Sequence, residues 1–147
     1  MMRSTLGWFW ALLDSKSVRL YQCVMYTAFC CWGWYALFYD EPPSPIEPVL
    51  GEFFYQCWIW INIMCPGIVL IGCQLRGKLR YSGLWLQLGG DVGQWFGLAS
   101  VVTAYWYVGL GGSFSAAVGA GLSVCVAFLV LRSARELARV EREAHRQ

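Results

Sequence analysis

The sequence predicts an all-α, polytopic integral membrane protein with four transmembrane helices and both termini in the cytoplasm. Three observations carry this. Of the 147 residues, 58% are hydrophobic and only 14% are charged, where an ordinary soluble domain has roughly 25% charged residues. Four stretches almost free of charge are each long enough for a spanning helix, which needs about 20 mostly apolar residues. All 11 Lys and Arg residues fall in, or at the border of, three of the five segments flanking those stretches, with Arg19 at the border of the first. None of the stretches alternates as a barrel strand does, and a helix satisfies its own backbone groups in lipid.

Residues 1–18 form the first flanking segment, cytoplasmic or interfacial, with Arg3, Lys16 and the pair Trp8 and Trp10. The tryptophans before Asp14 suggest a short helix lying in the inner interface. Span one covers about 19–39. Residues 40–52 hold four of the five prolines together with Asp40, Glu41, Glu47 and Glu52, and cannot be helical throughout. Span two covers about 53–75. Arg76, Lys78 and Arg80 make a tight basic turn. Span three covers about 81–107, broken only by Asp91, and span four about 113–131 after a glycine-rich turn. Residues 132–147 continue as a basic tail helix with Arg132, Arg135 and Arg139 near the inner leaflet. The basic segments, with Arg76, Lys78, Arg80, Arg132, Arg135 and Arg139 as anchors to anionic lipid, belong inside by the positive-inside rule. Trp and Tyr cluster at the outer ends of spans one to three, where headgroups favour amphipathic rings.

Asp91 is the one charge within a span, and a carboxylate there is costly unless it faces other helices or water. Gln87 and Gln94 lie on its helical face, at i−4 and i+3. Asn62 of span two matches the depth of Gln94, each 14 residues from the basic turn, and approaches that of Asp91. Pro66 lacks an N–H, so it frees the Asn62 carbonyl and should kink span two. The Gln94 amide or a protonated Asp91 can supply the missing donor. A polar cluster of Asp91, Gln87, Gln94 and Asn62 is therefore expected, as interhelical glue or as a proton- or ion-responsive site.

Small residues recur every four positions, as Gly89, Gly93 and Gly97 in span three and as Ser115, Gly119 and Ser123 in span four. Ala117, Gly121 and Cys125 run beside the latter. Such ladders let helices approach closely. The Gly89 face of span three is expected to meet span four, and the Asp91 face to meet span two. Trp85, Leu88, Val92 and Phe96 are left for lipid.

The seven cysteines all fall within spans, with no CxxC pair and no metal-ligand spacing, so they read as small apolar packing residues. His145, the only histidine, lies in the tail. No catalytic residues, metal or cofactor are expected, and no enzyme. Nucleic acid is not an expected partner, because no exposed basic stripe with aromatics can be assembled.

A short chain with closely spaced spans, a polar residue and glycine ladders within a span, and the charged tail 132–147 resembles in plan the small multi-span membrane proteins of bacteriophages, holins among them. That resemblance implies assembly in the bacterial cytoplasmic membrane and permeabilisation; it carries no functional residue. Three readings stand open. One is a non-enzymatic protein acting by helix–helix assembly, holin-like, with the bilayer and further copies as partners. A second is an accessory, regulatory or exclusion-type subunit of a larger membrane complex. The third is a proton- or ion-responsive transporter or channel using Asp91.

Overall fold

The computed structural model describes residues 16–39 and 47–144. The N-terminal segment with Trp8 and Trp10, the acidic residues Asp40 and Glu41, and His145 lie outside the described residues, as does the Lys78 side chain. The described chain is all-α, with four helices: α1 Lys16–Tyr39, α2 Glu47–Gln74, α3 Arg80–Tyr107 and α4 Phe114–Ala144. Two stretches, Gly51–Gln74 and Phe114–Ala144, are long and apolar enough to cross a membrane. α1 and α3 have the length, at 24 and 28 residues, but interleave Gln, Tyr, Trp and Gly with their aliphatic residues.

The one break in the helical backbone of α2 is at Gly51, with φ 73° and ψ 161°. The kink expected at Pro66 is not that break: Pro66 sits inside continuous helix. A proline ring can be absorbed by gentle bending over a turn, whereas a positive φ stops the helix outright.

α2 and α3 form a tight antiparallel hairpin around a single 3-10 turn, Gly77–Leu79. Their backbones touch from the turn onward. A Cβ added to Gly72 would lie 2.7 Å from the Gly83 carbonyl oxygen, and one added to Gly83 would lie 2.8 Å from that of Gly72. Only hydrogen fits on either side, so this pair fixes the register of the hairpin.

The α3–α4 turn is capped at both ends. Leu110 N–H reaches back to the Tyr105 carbonyl at 2.9 Å, with Gly109 at φ 78° making the left-handed exit that ends many helices. Ser113 Oγ accepts from Ala116 N–H at 3.2 Å, an N-cap for α4. α4 then runs for 31 residues, about 46 Å, well past a hydrocarbon core of about 30 Å. Its far end is tied back to α3 by Tyr81 Oη, which donates to Glu141 Oε1 at 3.1 Å.

One cluster draws on every helix: Met25 and Tyr26 from α1, Val69 from α2, Leu98 from α3, and Val126 and Leu129 from α4. A second, formed by Ala36, Tyr55, Trp58, Ile59 and Ile63, closes α1 on α2 at the opposite end from the basic turn. Outside these, bulky apolar side chains point away from the bundle along all four helices, among them Val24, Ile71, Phe96 and Phe128.

Candidate functional site

α3 is the central element. Six of its eight buried residues fall into two rows spaced by seven. Gly83, Gly90 and Gly97 lie along α2, while Leu84, Asp91 and Leu98 face the space shared by α1 and α4. A seven-residue period keeps each row on one face of a helix. Asp91 is therefore carried into the middle of the molecule, where it is fully buried.

Three donors converge on it. Gln22 Nε2 donates to Oδ1 at 3.2 Å, Tyr26 Oη donates to Oδ1 at 2.5 Å, and Ser133 Oγ donates to Oδ2 at 2.7 Å. Gln22 and Tyr26 stand one turn apart, so a single face of α1 presents both. Asp91 thus ties α1, α3 and α4 together through both of its oxygens. This corrects the expected pairing with Asn62 and Gln87.

Asn62 and Gln94 form a separate set between α2 and α3. Gln94 Nε2 donates to Asn62 Oδ1 at 3.1 Å, and Asn62 Nδ2 donates to the Trp58 carbonyl at 2.9 Å. Trp58 Nε1 in turn donates to the Gly97 carbonyl at 3.1 Å. Gln94 reaches the side-chain oxygen of Asn62 and not the carbonyl freed by Pro66. Gln94 Oε1 is buried and has no hydrogen-bond partner among the described residues. Gln87 belongs to neither set: it is half-buried, packed against Gly72, and lines a cavity at the basic end.

The glycine ladder of α3 also faces the other way from expectation. Gly93 lies against Cys65 Sγ, and a Cβ on Gly97 would meet Ile61 Cγ2 at 3.0 Å, so both face α2. Gly89 is exposed, and a Cβ there would meet nothing within 4 Å. The neighbouring row at Gly83, Gly90 and Gly97 took the close contact, because α2 packs on the side nearer to Gly90. On α4, a Cβ on Gly119 would meet Val102 Cγ2 of α3 at 3.3 Å, Ser123 is half-buried and Ser115 exposed. Trp85, Val92 and Phe96 are exposed, with Leu88 half-buried.

Arg132 is a further correction. It is only 6% exposed, not an anchor on the surface. Its Nε lies 3.7 Å from Glu136, which also meets Arg19 of α1 at 3.7 Å. Pairing and a polar cavity let a guanidinium sit where a lone charge would be expelled. Arg76, Arg80 and Arg139 are exposed and Arg135 half-buried.

Two cavities flank the Asp91 layer. One, of about 510 Å³, lies at the basic end and reaches Gln22. The other, of about 560 Å³, is an apolar groove lined by Met25, Phe29, Trp32, Leu98, Phe114 and Leu122. Among the described residues no group of three or more His, Cys, Asp and Glu is placed to hold a metal ion.

Gln22, Tyr26 and Ser133 were missed by sequence reasoning. The signal for the first two was available, as two hydrogen-bonding side chains at i and i+4 within an apolar span. Ser133 was hidden by Arg132, which marks the apparent end of span four.

Compared with known proteins, the chain matches no family, no curated protein and no solved structure.

Proposed function

We propose that this is a non-enzymatic, four-span integral membrane protein that works by helix–helix assembly in the bilayer, through the free face of α4. Support for the membrane setting comes from an inverted surface. Large apolar side chains such as Leu20, Val24, Met64 and Phe96 are exposed, while Gln22, Asn62, Asp91 and Gln94 are buried. A water-soluble domain arranges these the other way round. Arg19, Arg76 and Arg80 mark one end of the bundle, and exposed Tyr39, Phe53, Tyr107 and Phe114 the other. The positive-inside rule then favours both termini in the cytoplasm, and a cytoplasmic membrane as the setting.

The observation that carries the assembly reading is a ladder left without a neighbour. The glycines at 93, 97 and 119 are consumed within the chain, but Ala117, Gly121 and Cys125 are exposed on α4, and a Cβ on Gly121 would meet nothing within 4 Å. In lipid such a stripe favours close approach of another helix. We assign that helix to α4 of a second copy. Mild oxidation of membranes holding the full chain tests this. A disulfide-linked dimer is expected, lost in Cys125→Ser and kept in Cys31→Ser and Cys57→Ser, whose thiols are also exposed. No Cys125-dependent dimer would remove self-assembly and leave the accessory-subunit reading, in which the ladder receives a helix of a larger complex. Permeabilisation of the holin kind is the outcome to look for if the dimer extends to higher oligomers. Against a conduit working through Asp91 stands the occupation of both its oxygens by donors from within the chain.

A further inference from the structure

We infer that the cavity at the basic end is a binding site for a phosphate-bearing anion with at least two negative charges, and that its natural occupant is the headgroup of an anionic phospholipid. The inference rests on the membrane reading for the source of the ligand, but not for its chemistry. The cavity, about 510 Å³, gathers Arg19 from α1, Arg76 and Arg80 from the α2–α3 hairpin, and Arg132 from α4. Among the described residues Glu136 is the one acid within 4 Å of any of them, and it touches only Arg19 and Arg132. Four guanidiniums thus face one carboxylate.

Arg132 is the second, independent sign. A guanidinium has five donors in a fixed fork, and this one is 94% buried while its single ion pair is a 3.7 Å approach through Nε. It opens into the cavity, whose polar lining also offers the Gln22 and Gln87 amides. Convergent arginines within low-dielectric walls focus a positive potential, and their forks match phosphate oxygens bidentately. Unoccupied, the same arrangement sets like charges against each other. Leu75, Leu84 and Cys73 complete the walls. An apolar wall beside guanidiniums suits a headgroup with its glycerol attached better than a bare, fully hydrated anion.

The test is thermal melting of the purified full chain in a neutral detergent, with dioleoyl phosphatidic acid, dioleoyl phosphatidylcholine or inorganic pyrophosphate added. Phosphatidic acid is expected to raise the melting temperature at lower concentration and by more than pyrophosphate does, with phosphatidylcholine leaving it unchanged. Because Arg132 is buried and its loss can unfold the bundle, the exposed pair carries the test. Arg76→Gln/Arg80→Gln should weaken the apparent affinity by about tenfold or more. Arg142→Gln, outside the cavity, should keep the full shift. Pyrophosphate shifting the wild type as much as the lipid, with the same loss in the double variant, would uphold the phosphate site and make a soluble anion its occupant. No shift with either, an unchanged shift in the double variant, or an equal loss in Arg142→Gln would overturn it. Alkaline carbonate extraction of the membranes separates the two readings. A chain that is extracted fails as a membrane protein, and the pyrophosphate arm still decides the site.

Discussion

Ser133 Oγ donates a 2.7 Å hydrogen bond to Asp91 Oδ2 and so sets the residue just beyond Arg132 at the depth of the buried acid. The same register holds along the α3–α4 hairpin, with Gly119 on Val102 nearer the turn and Tyr81 bonded to Glu141 further from it. The bundle therefore extends past the point at which charge returns to the sequence. Arg132 and Glu136 are packed components of it.

Ser133→Ala removes one donor from Asp91 and nothing else. Interhelical hydrogen bonds in membranes are worth about 0.6–2 kcal/mol, so the melting temperature in detergent should fall by a few degrees. Ser115→Ala, at an exposed position on the same helix, should leave it unchanged. Equal behaviour of the two variants would mean that Ser133 does not hold α4 to Asp91.

The hairpin register depends on glycines facing α2, which separates two adjacent positions. A Cβ on Gly90 would come within 2.7 Å of the Cys65 carbonyl oxygen, a backbone atom that cannot step aside. Gly90→Leu should cost about 1–3 kcal/mol through overpacking. Gly89→Leu, which meets open space, should stay within about 0.5 kcal/mol of the wild type. Chemical unfolding in detergent micelles measures both, and destabilisation by Gly89→Leu alone would reverse the assigned faces of α3.

Much of this was legible in the sequence, and the limits have physical causes. Uncharged length and turn chemistry place the helices, because a helix in lipid has few alternatives. Counting from one basic turn finds the depth match of Asn62 and Gln94, since antiparallel neighbours share a rise per residue. Counting does not reveal azimuth. Gly89 and Gly90 are one residue apart, about 100° around the helix, and repeat patterns exist on both faces. Nor does it reveal partners from non-adjacent helices: Gln22 and Tyr26 reach Asp91 across 69 and 65 positions of sequence. The buried Arg132 defeats a rule that reads every arginine as a boundary, because Glu136 one turn on shares its charge.

The orientation can be read at two turns that the structure describes. A reporter fused after Gly77, in the basic α2–α3 turn, should report the cytoplasm, and one fused after Gly112, in the uncharged α3–α4 turn, the opposite compartment. The same compartment for both would remove span three and with it the four-span topology.

Asp91 separates structural glue from a titrating site. Its Oδ1 accepts from Gln22 and Tyr26, and its Oδ2 accepts from Ser133, whose hydroxyl can turn to accept instead. An Asn side chain reproduces this arrangement: its oxygen takes the two α1 donors and its amide donates to Ser133 Oγ. Asp91→Asn should therefore melt within about 1 kcal/mol of the wild type and keep its membrane insertion and dimerisation. Asp91→Leu fills the space but strands three buried polar groups at once, the Gln22 amide, the Tyr26 hydroxyl and the Ser133 hydroxyl. Each unsatisfied group costs about 1–3 kcal/mol, so this variant should lose the α1 and α4 contacts and melt far lower or fail to accumulate. The order of the two variants is the decisive reading. If Asp91→Asn inserts, melts and dimerises normally yet loses a membrane activity that the wild type displays, ionisation of the carboxylate is itself the function, and the ion-responsive reading displaces the structural one.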